Sequence, residues 1–156
     1  MPASDEPIPV LVSACLLGCE CRYDGRHNRD SVLVRRLAER GLRAVPFCPE
    51  EHGGLGTPRP PASIEATSSA AVLDGAERVL TDAGADVTEQ YLRGARGALE
   101  TCQLHGIRLA LLKERSPSCG VRNTHVAGVL VEGPGVTTEL LRRNGITVEG
   151  IEGRRD

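Results

Sequence analysis

The chain has 156 residues, is 40% hydrophobic, and sets 19 Lys and Arg against 21 Asp and Glu for a net charge of −2. That length suits one domain of roughly 100–200 residues, and without a long basic run it offers no electrostatic footprint for a nucleic-acid polymer. Tyr23, Phe47 and Tyr91 are the only aromatics, too few for a base-stacking platform.

No apolar run nears the roughly 18 residues of a membrane span, and residues 1–10, with Asp5 and Glu6, lack the pattern of a signal peptide. A cytoplasmic protein with no membrane partner is expected. Residues 9–14 form a continuous apolar run that reads as a buried strand, and a loop from Cys15 to Asn28 follows it. Asp30 is placed to cap a helix reaching Arg40, with Leu33, Val34, Leu37 and Ala38 on its apolar face and Gly41 as its stop. Residues 42–47 read as a second strand ending at Cys48. It opens into residues 49–61, whose Gly and Pro content predicts neither helix nor central strand.

Residues 70–80 carry two apolar patches around Asp74-Gly75, a hairpin signal. Asp86 and Glu89 resemble a capping box, and Tyr91, Leu92, Ala95, Ala98, Leu99 and Cys102 then form one helical stripe to His105, ended by Gly106. A third apolar run, 107–112, precedes the loop 113–120. Residues 127–131 read as a fourth strand, 137–143 as a helix stopped by Gly145, and 146–149 as a last strand. The alternation predicts a single three-layer α/β domain with a mainly parallel, Rossmann-like sheet over residues 10–150. Residues 1–9 are expected to be a flexible N-terminus and residues 151–156 a tail.

Six cysteines without an export signal point to metal or catalytic use instead of a disulfide framework. In a parallel sheet, ligands bind beyond the carboxyl ends of the strands. Cys15, Cys48 and Cys119 each lie at or near the end of a different predicted strand, so one sheet brings them to one rim. Cys102 falls on the apolar helical stripe and reads as core. Cys19 and Cys21 leave the local spacing one residue short of the radical-enzyme cluster motif and read as spare thiols or a redox pair.

Three thiolates on separate strands hold a metal centre with one position open. Zinc is one occupant, although the usual C-x-x-C knuckles are absent; a [4Fe-4S] cluster with one open iron is the other. Arg22, Arg59 or Lys113 would balance the negative charge of such a cluster. Glu50 follows Cys48 by two residues across the stiff Pro49. A carboxylate beside an apolar, metal-bearing pocket is driven toward the pKa that proton transfer needs. Ser116 and Ser118 offer hydroxyls, and Lys113 an anion contact. His27, His52, His105 and His125 share no ligand spacing, and none is placed as a base for a Cys119 nucleophile.

The segments Val12-Ser-Ala-Cys-Leu-Leu-Gly18, Cys21-Arg-Tyr-Asp-Gly25, Phe47-Cys-Pro-Glu50, Gly53-Gly-Leu55, Thr57-Pro-Arg-Pro-Pro61 and Lys113-x-x-Ser-Pro-Ser-Cys-Gly120 stand in this order. Together they resemble the thiouracil desulfidase family, catalogued as domain of unknown function 523, over about residues 10–146. The resemblance implies an enzyme that removes sulfur from thiolated pyrimidines, such as 4-thiouracil, by non-redox hydrolysis at a three-cysteine [4Fe-4S] cluster. By motif position it implies Cys15, Cys48 and Cys119 as ligands, Glu50 as proton shuttle and Ser116 at the substrate. Arg22, Tyr23, Asp24, Lys113 and Ser118 are the further substrate-binding candidates. Residues 121–133 fit the family pattern loosely, and Glu51-His52 stands where apolar residues are expected. The alternative is a non-catalytic zinc or iron–sulfur binding module.

Overall fold

A computed structural model describes residues 6–154. Its main sheet joins β1 (Ile8–Ser13), β2 (Leu42–Phe47), β5 (Leu109–Lys113) and β8 (Thr147–Ile151) in the order β2-β1-β5-β8, with every pair parallel. Val10, Leu11 and Val12 are at most 1% exposed, because β1 is central and both sheet faces are covered. Leu11, Ala110 and Leu112 pack with Ala98 and Cys102 of α4 (Thr88–His105) and Leu141 of α5 (Val136–Arg143). Val10, Val12 and Leu111 pack with Leu33 and Leu37 of α1 (Ser31–Glu39). Strand residues that alternate between two helical faces make the expected three layers.

Local signals set these helix ends. Asp30 accepts a hydrogen bond from the Leu33 N–H at 2.9 Å, and Gly106 closes α4 in the left-handed conformation at φ 66°. The expectations of a flexible start and a tail fall partly on residues 1–5 and 155–156, which lie outside the described residues. Among the described residues no helix is long and apolar enough to cross a membrane.

Three expectations give way. Residues 127–131 are not one strand of the main sheet: β6 (Asn123–Val126) and β7 (Val129–Glu132) form a hairpin turned by Ala127 and Gly128, at φ 50° and 78°. Two consecutive positive φ values are the type I′ signature, hidden here because Ala holds the position Asn usually takes. This hairpin joins β3 (Ala62–Ile64) and β4 (Val79–Thr81) in a second sheet, β4-β3-β6-β7. The expected hairpin at 70–80 is instead α3 (Ser69–Leu73), because the Ser68 side chain caps the Ala71 N–H at 3.1 Å. Finally, residues 49–61 do contain a helical turn, α2 (Pro49–His52). Pro49 takes the first position, where no N–H is needed, and Glu50 and Glu51 favour the positive end of the turn.

α2 sits against α4 backbone to backbone. A Cβ on Gly53 would lie 2.0 Å from the Gln90 carbonyl oxygen, and one on Gly94 would lie 2.0 Å from that of Pro49. A Cβ on Gly97 would meet the His52 ring at 2.3 Å, so two glycines inside α4 remain despite their helix cost. The loop between β5 and β6 is gathered by a buried carboxylate. Oε1 of Glu114, 2% exposed, accepts from the N–H groups of Val121 and Arg122 at 2.9 and 3.0 Å, while Oε2 accepts from Arg122 Nε at 3.1 Å. Burial alone would raise its pKa, but the donors of Val121, Arg122 and Asn123 outweigh it and hold the carboxyl below its ordinary range.

Two stability measurements follow from these contacts. Glu114→Ala leaves buried N–H donors without their acceptor and should cost about 3 kcal/mol in urea unfolding, with Glu114→Gln retaining part of that. Gly94→Ala should lower the thermal midpoint, since a forced backbone shift costs roughly 1–3 kcal/mol against a helix-propensity gain of about 1. A raised midpoint would mean that α2 is not clamped.

Candidate metal centre

Cys15 opens the short 3-10 turn Ala14–Leu17 directly after β1, Cys48 follows β2 as the N-cap of α2, and Cys119 lies in the loop after β5. Since β2, β1 and β5 are neighbours running the same way, all three reach one edge of the sheet. They line a single cavity of about 860 Å³, together with Glu50, Ser116, Arg22, Tyr23 and Lys113. None of the six cysteines is in a disulfide.

A fourth thiol lines the same cavity. Cys21, 2% exposed, places its thiol beside those of Cys15 and Cys48, and the Cys48 sulfur stands 3.9 Å from the Cys21 carbonyl oxygen. These contacts set the proton balance of the group. The hydrogen bond from Cys21 lowers the Cys15 thiol to about 7, with Asn28 and Lys113 assisting against burial and the Glu50 charge. Asn28 Nδ2 stands 3.5 Å from the Cys15 sulfur. Cys48 is lowered by the same Cys21 contact, while Cys21 itself is driven far up by its two sulfur partners. Burial, and then the Glu50 charge, push the Cys119 thiol up. Spacing along the chain carries no sign of Cys21's place, because it ends no strand. Cys102, 1% exposed within the core, has its thiol raised by burial to about 11, as an inert core cysteine should.

Glu50 is held from three sides. Its Oε2 accepts from Arg59 Nε at 2.9 Å and from the Tyr91 hydroxyl at 3.3 Å, and its Oε1 accepts from the Ser116 hydroxyl at 3.0 Å. Ser116 Oγ in turn accepts from the N–H groups of Ser118 and Cys119 at 3.0 and 3.1 Å, so carboxylate and cysteine loop share one atom. Burial, and then the Glu50 charge, raise the Tyr91 phenol well above its usual value and keep it a donor. Tyr91 read from sequence only as part of an apolar stripe. Its stripe position hid a hydroxyl aimed at the carboxylate.

Arg59 also donates through Nη2 to the Cys21 carbonyl at 2.9 Å, which ties the carboxylate side of the cavity to the cysteine loop. Arg22 is paired with Asp24 at 2.8 Å and donates to Asn28 at 3.1 Å. The Lys113 ammonium donates to the Glu114 carbonyl at 3.1 Å; burial lowers its pKa, and the Cys15 sulfur opposes that shift. Two expected substrate contacts stand off the wall. Asp24 is behind Arg22, and Ser118 is wholly buried with its hydroxyl 2.8 Å from that of Thr137. His52, out of place for an apolar position, packs its ring on Phe47 with centroids 4.9 Å apart.

The donor set decides what the site suits. Cys15, Cys48 and Cys119 offer soft sulfur, His125 also lines the cavity, and the ammonium of Lys113 and the guanidinium of Arg59 lie close enough to act on the site. Three thiolates from separate segments fit a [4Fe-4S] cluster.

Comparison with known proteins agrees with this geometry. The solved structure of TudS, described as a [4Fe-4S]-dependent thiouracil desulfidase, superposes with a TM-score of 0.78 at 46% identity, covering 93% of this chain and 90% of that one. The uncharacterized protein YbbK of Bacillus subtilis (strain 168) is 42% identical over 142 residues, 89% of this chain and 93% of its own. The 2-thiouracil desulfurase family matches residues 10–152, and the chain belongs to that family.

Proposed function

We propose that the protein is a [4Fe-4S]-dependent desulfidase that converts a thiolated pyrimidine of the thiouracil class and water into the oxo-pyrimidine and hydrogen sulfide. The observation that carries this reading is the meeting of Cys15, Cys48, Cys119 and the tethered Glu50 on one cavity. Cys15, Cys48 and Cys119 would hold the cluster, with the Cys21 thiol beside two of them. A cluster held there would supply a Lewis-acidic iron for the substrate sulfur, the chemistry that would make the ring carbon electrophilic.

The protein supplies the proton path. Glu50 Oε1 accepts the proton of the attacking water and returns it to the departing side of the ring. Arg59 and Tyr91, both on Oε2, keep the carboxylate aimed while it changes charge. Ser116 orients the substrate at the same oxygen that holds Glu50, which places water, base and ring within one hydrogen-bonded set. Arg22, Tyr23 and Lys113 contact the substrate from the wall, Asp24 fixes Arg22, and Ser118 steadies the cysteine loop. One desulfidase domain, residues 10–150, acts in the cytoplasm on a small molecule and needs neither membrane nor nucleic-acid polymer.

Anaerobic purification and reconstitution should give a brown protein with about four irons per chain. Alanine at Cys15, Cys48 or Cys119 should abolish iron retention, while Cys102→Ala should keep it; iron-free wild type after careful reconstitution would overturn the reading. Glu50→Gln should keep both iron and fold yet lower sulfide release from 4-thiouracil by about a hundredfold or more. Full turnover in that variant would remove Glu50 from the proton path.

A further inference from the structure

The sulfurs of Cys19 and Cys21 and a carboxylate oxygen of Glu51 all lie within 4.8 Å of one another. Only Cys21 of the three lines the cavity, while Cys19 and Glu51 lie outside its wall. Its members come from two segments that the fold holds together. The Cys19 N–H donates to the Ala14 carbonyl at 3.2 Å, and Arg59, from the segment after α2, donates to the Cys21 carbonyl at 2.9 Å. Glu51 rides on α2, which the glycines of α4 fix in place. The Thr57 hydroxyl donates to Glu51 Oε2 at 2.5 Å, the kind of outer hydrogen bond that orients a ligating carboxylate.

Two thiolates and one carboxylate bind a divalent ion with one negative charge in excess and leave a fourth position for water, the donor chemistry of a borderline-soft metal and not of calcium or magnesium. A tetrahedral zinc ion with bonds of about 2.0–2.3 Å spaces its ligands somewhat closer than 4.8 Å, a change that the exposed side chains of Cys19 and Glu51 can make. We propose that Cys19, Cys21 and Glu51 form a second metal site, for one divalent ion of the zinc class, distinct from the three-cysteine centre. Cys21 belongs to both neighbourhoods.

The test uses anaerobically loaded protein dialysed against zinc chloride, with iron and zinc counted in the same sample and cobalt(II) as a spectroscopic substitute. The expected result is about one zinc per chain with the iron unchanged, and a thiolate-to-cobalt charge-transfer band for the cobalt form. Cys19→Ser and Glu51→Gln, both at exposed positions, should each weaken zinc binding about tenfold or more without loss of iron. Zinc uptake equal to wild type in either variant, or zinc entering only as iron leaves, would overturn the proposal. Because iron is counted separately, failure of the cluster reading and failure of this one are different results.

Discussion

Thiols drawn from positions 15, 48 and 119 can share a cavity only because β2, β1 and β5 are adjacent and parallel, each delivering the residues that follow it to the same edge. An antiparallel partner anywhere in that trio would send one cysteine to the far side of the domain. The register depends on apolar burial. Leu11 and Val12 pair with Ala110 and Leu111, and successive residues feed opposite helical layers, so a one-residue slip would send each side chain to the wrong layer. Most of what the site does therefore rests on core packing that touches no substrate.

Precision within the site comes from a second kind of constraint. Glu50 is carried by a single helical turn, too short to be stable alone. It is held by the direct seating of α2 on the glycines of α4 and by three donors on its carboxylate. Ser116 connects that carboxylate to the backbone of Cys119, and Glu114 gathers the rest of the same loop from beneath. Glu50 and Cys119, set on different elements, are thus fixed relative to each other by hydrogen bonds of about 3 Å, the tolerance that positioned chemistry requires.

The sequence was readable where one local pattern decided the outcome. The main-sheet strands, the Asp30 cap and the Gly106 stop follow from apolar runs and cap residues, and the strand-end argument brings Cys15, Cys48 and Cys119 together before any coordinates. It was unreadable where a residue's part is set by a distant one. Ala127-Gly128 makes a hairpin turn with an atypical residue, Pro49 starts a helix inside a loop-like tract, and Gly94 makes sense only with the Pro49 carbonyl beside it. Cys21 and Tyr91 join the site through side chains that leave a loop and an apolar helical stripe, which no period of 2 or 3.6 can signal.

Burying several sulfurs beside a carboxylate raises the question of which of them carry charge, and the hydrogen bonds answer it. Among the three neighbouring thiols, Cys21 is held far up by its sulfur partners, while Cys15 and Cys48 are lowered by their contact with it. Lys113 and Asn28 add their support at Cys15 and Arg59 adds its charge at Cys48. The division supports the ligand assignment, since the sulfurs prepared as thiolates are the two at strand ends, while the residue that keeps its proton comes from the loop. Cys119 stands apart, raised by burial and then by the Glu50 charge, with only the Ser13 side chain drawing it down.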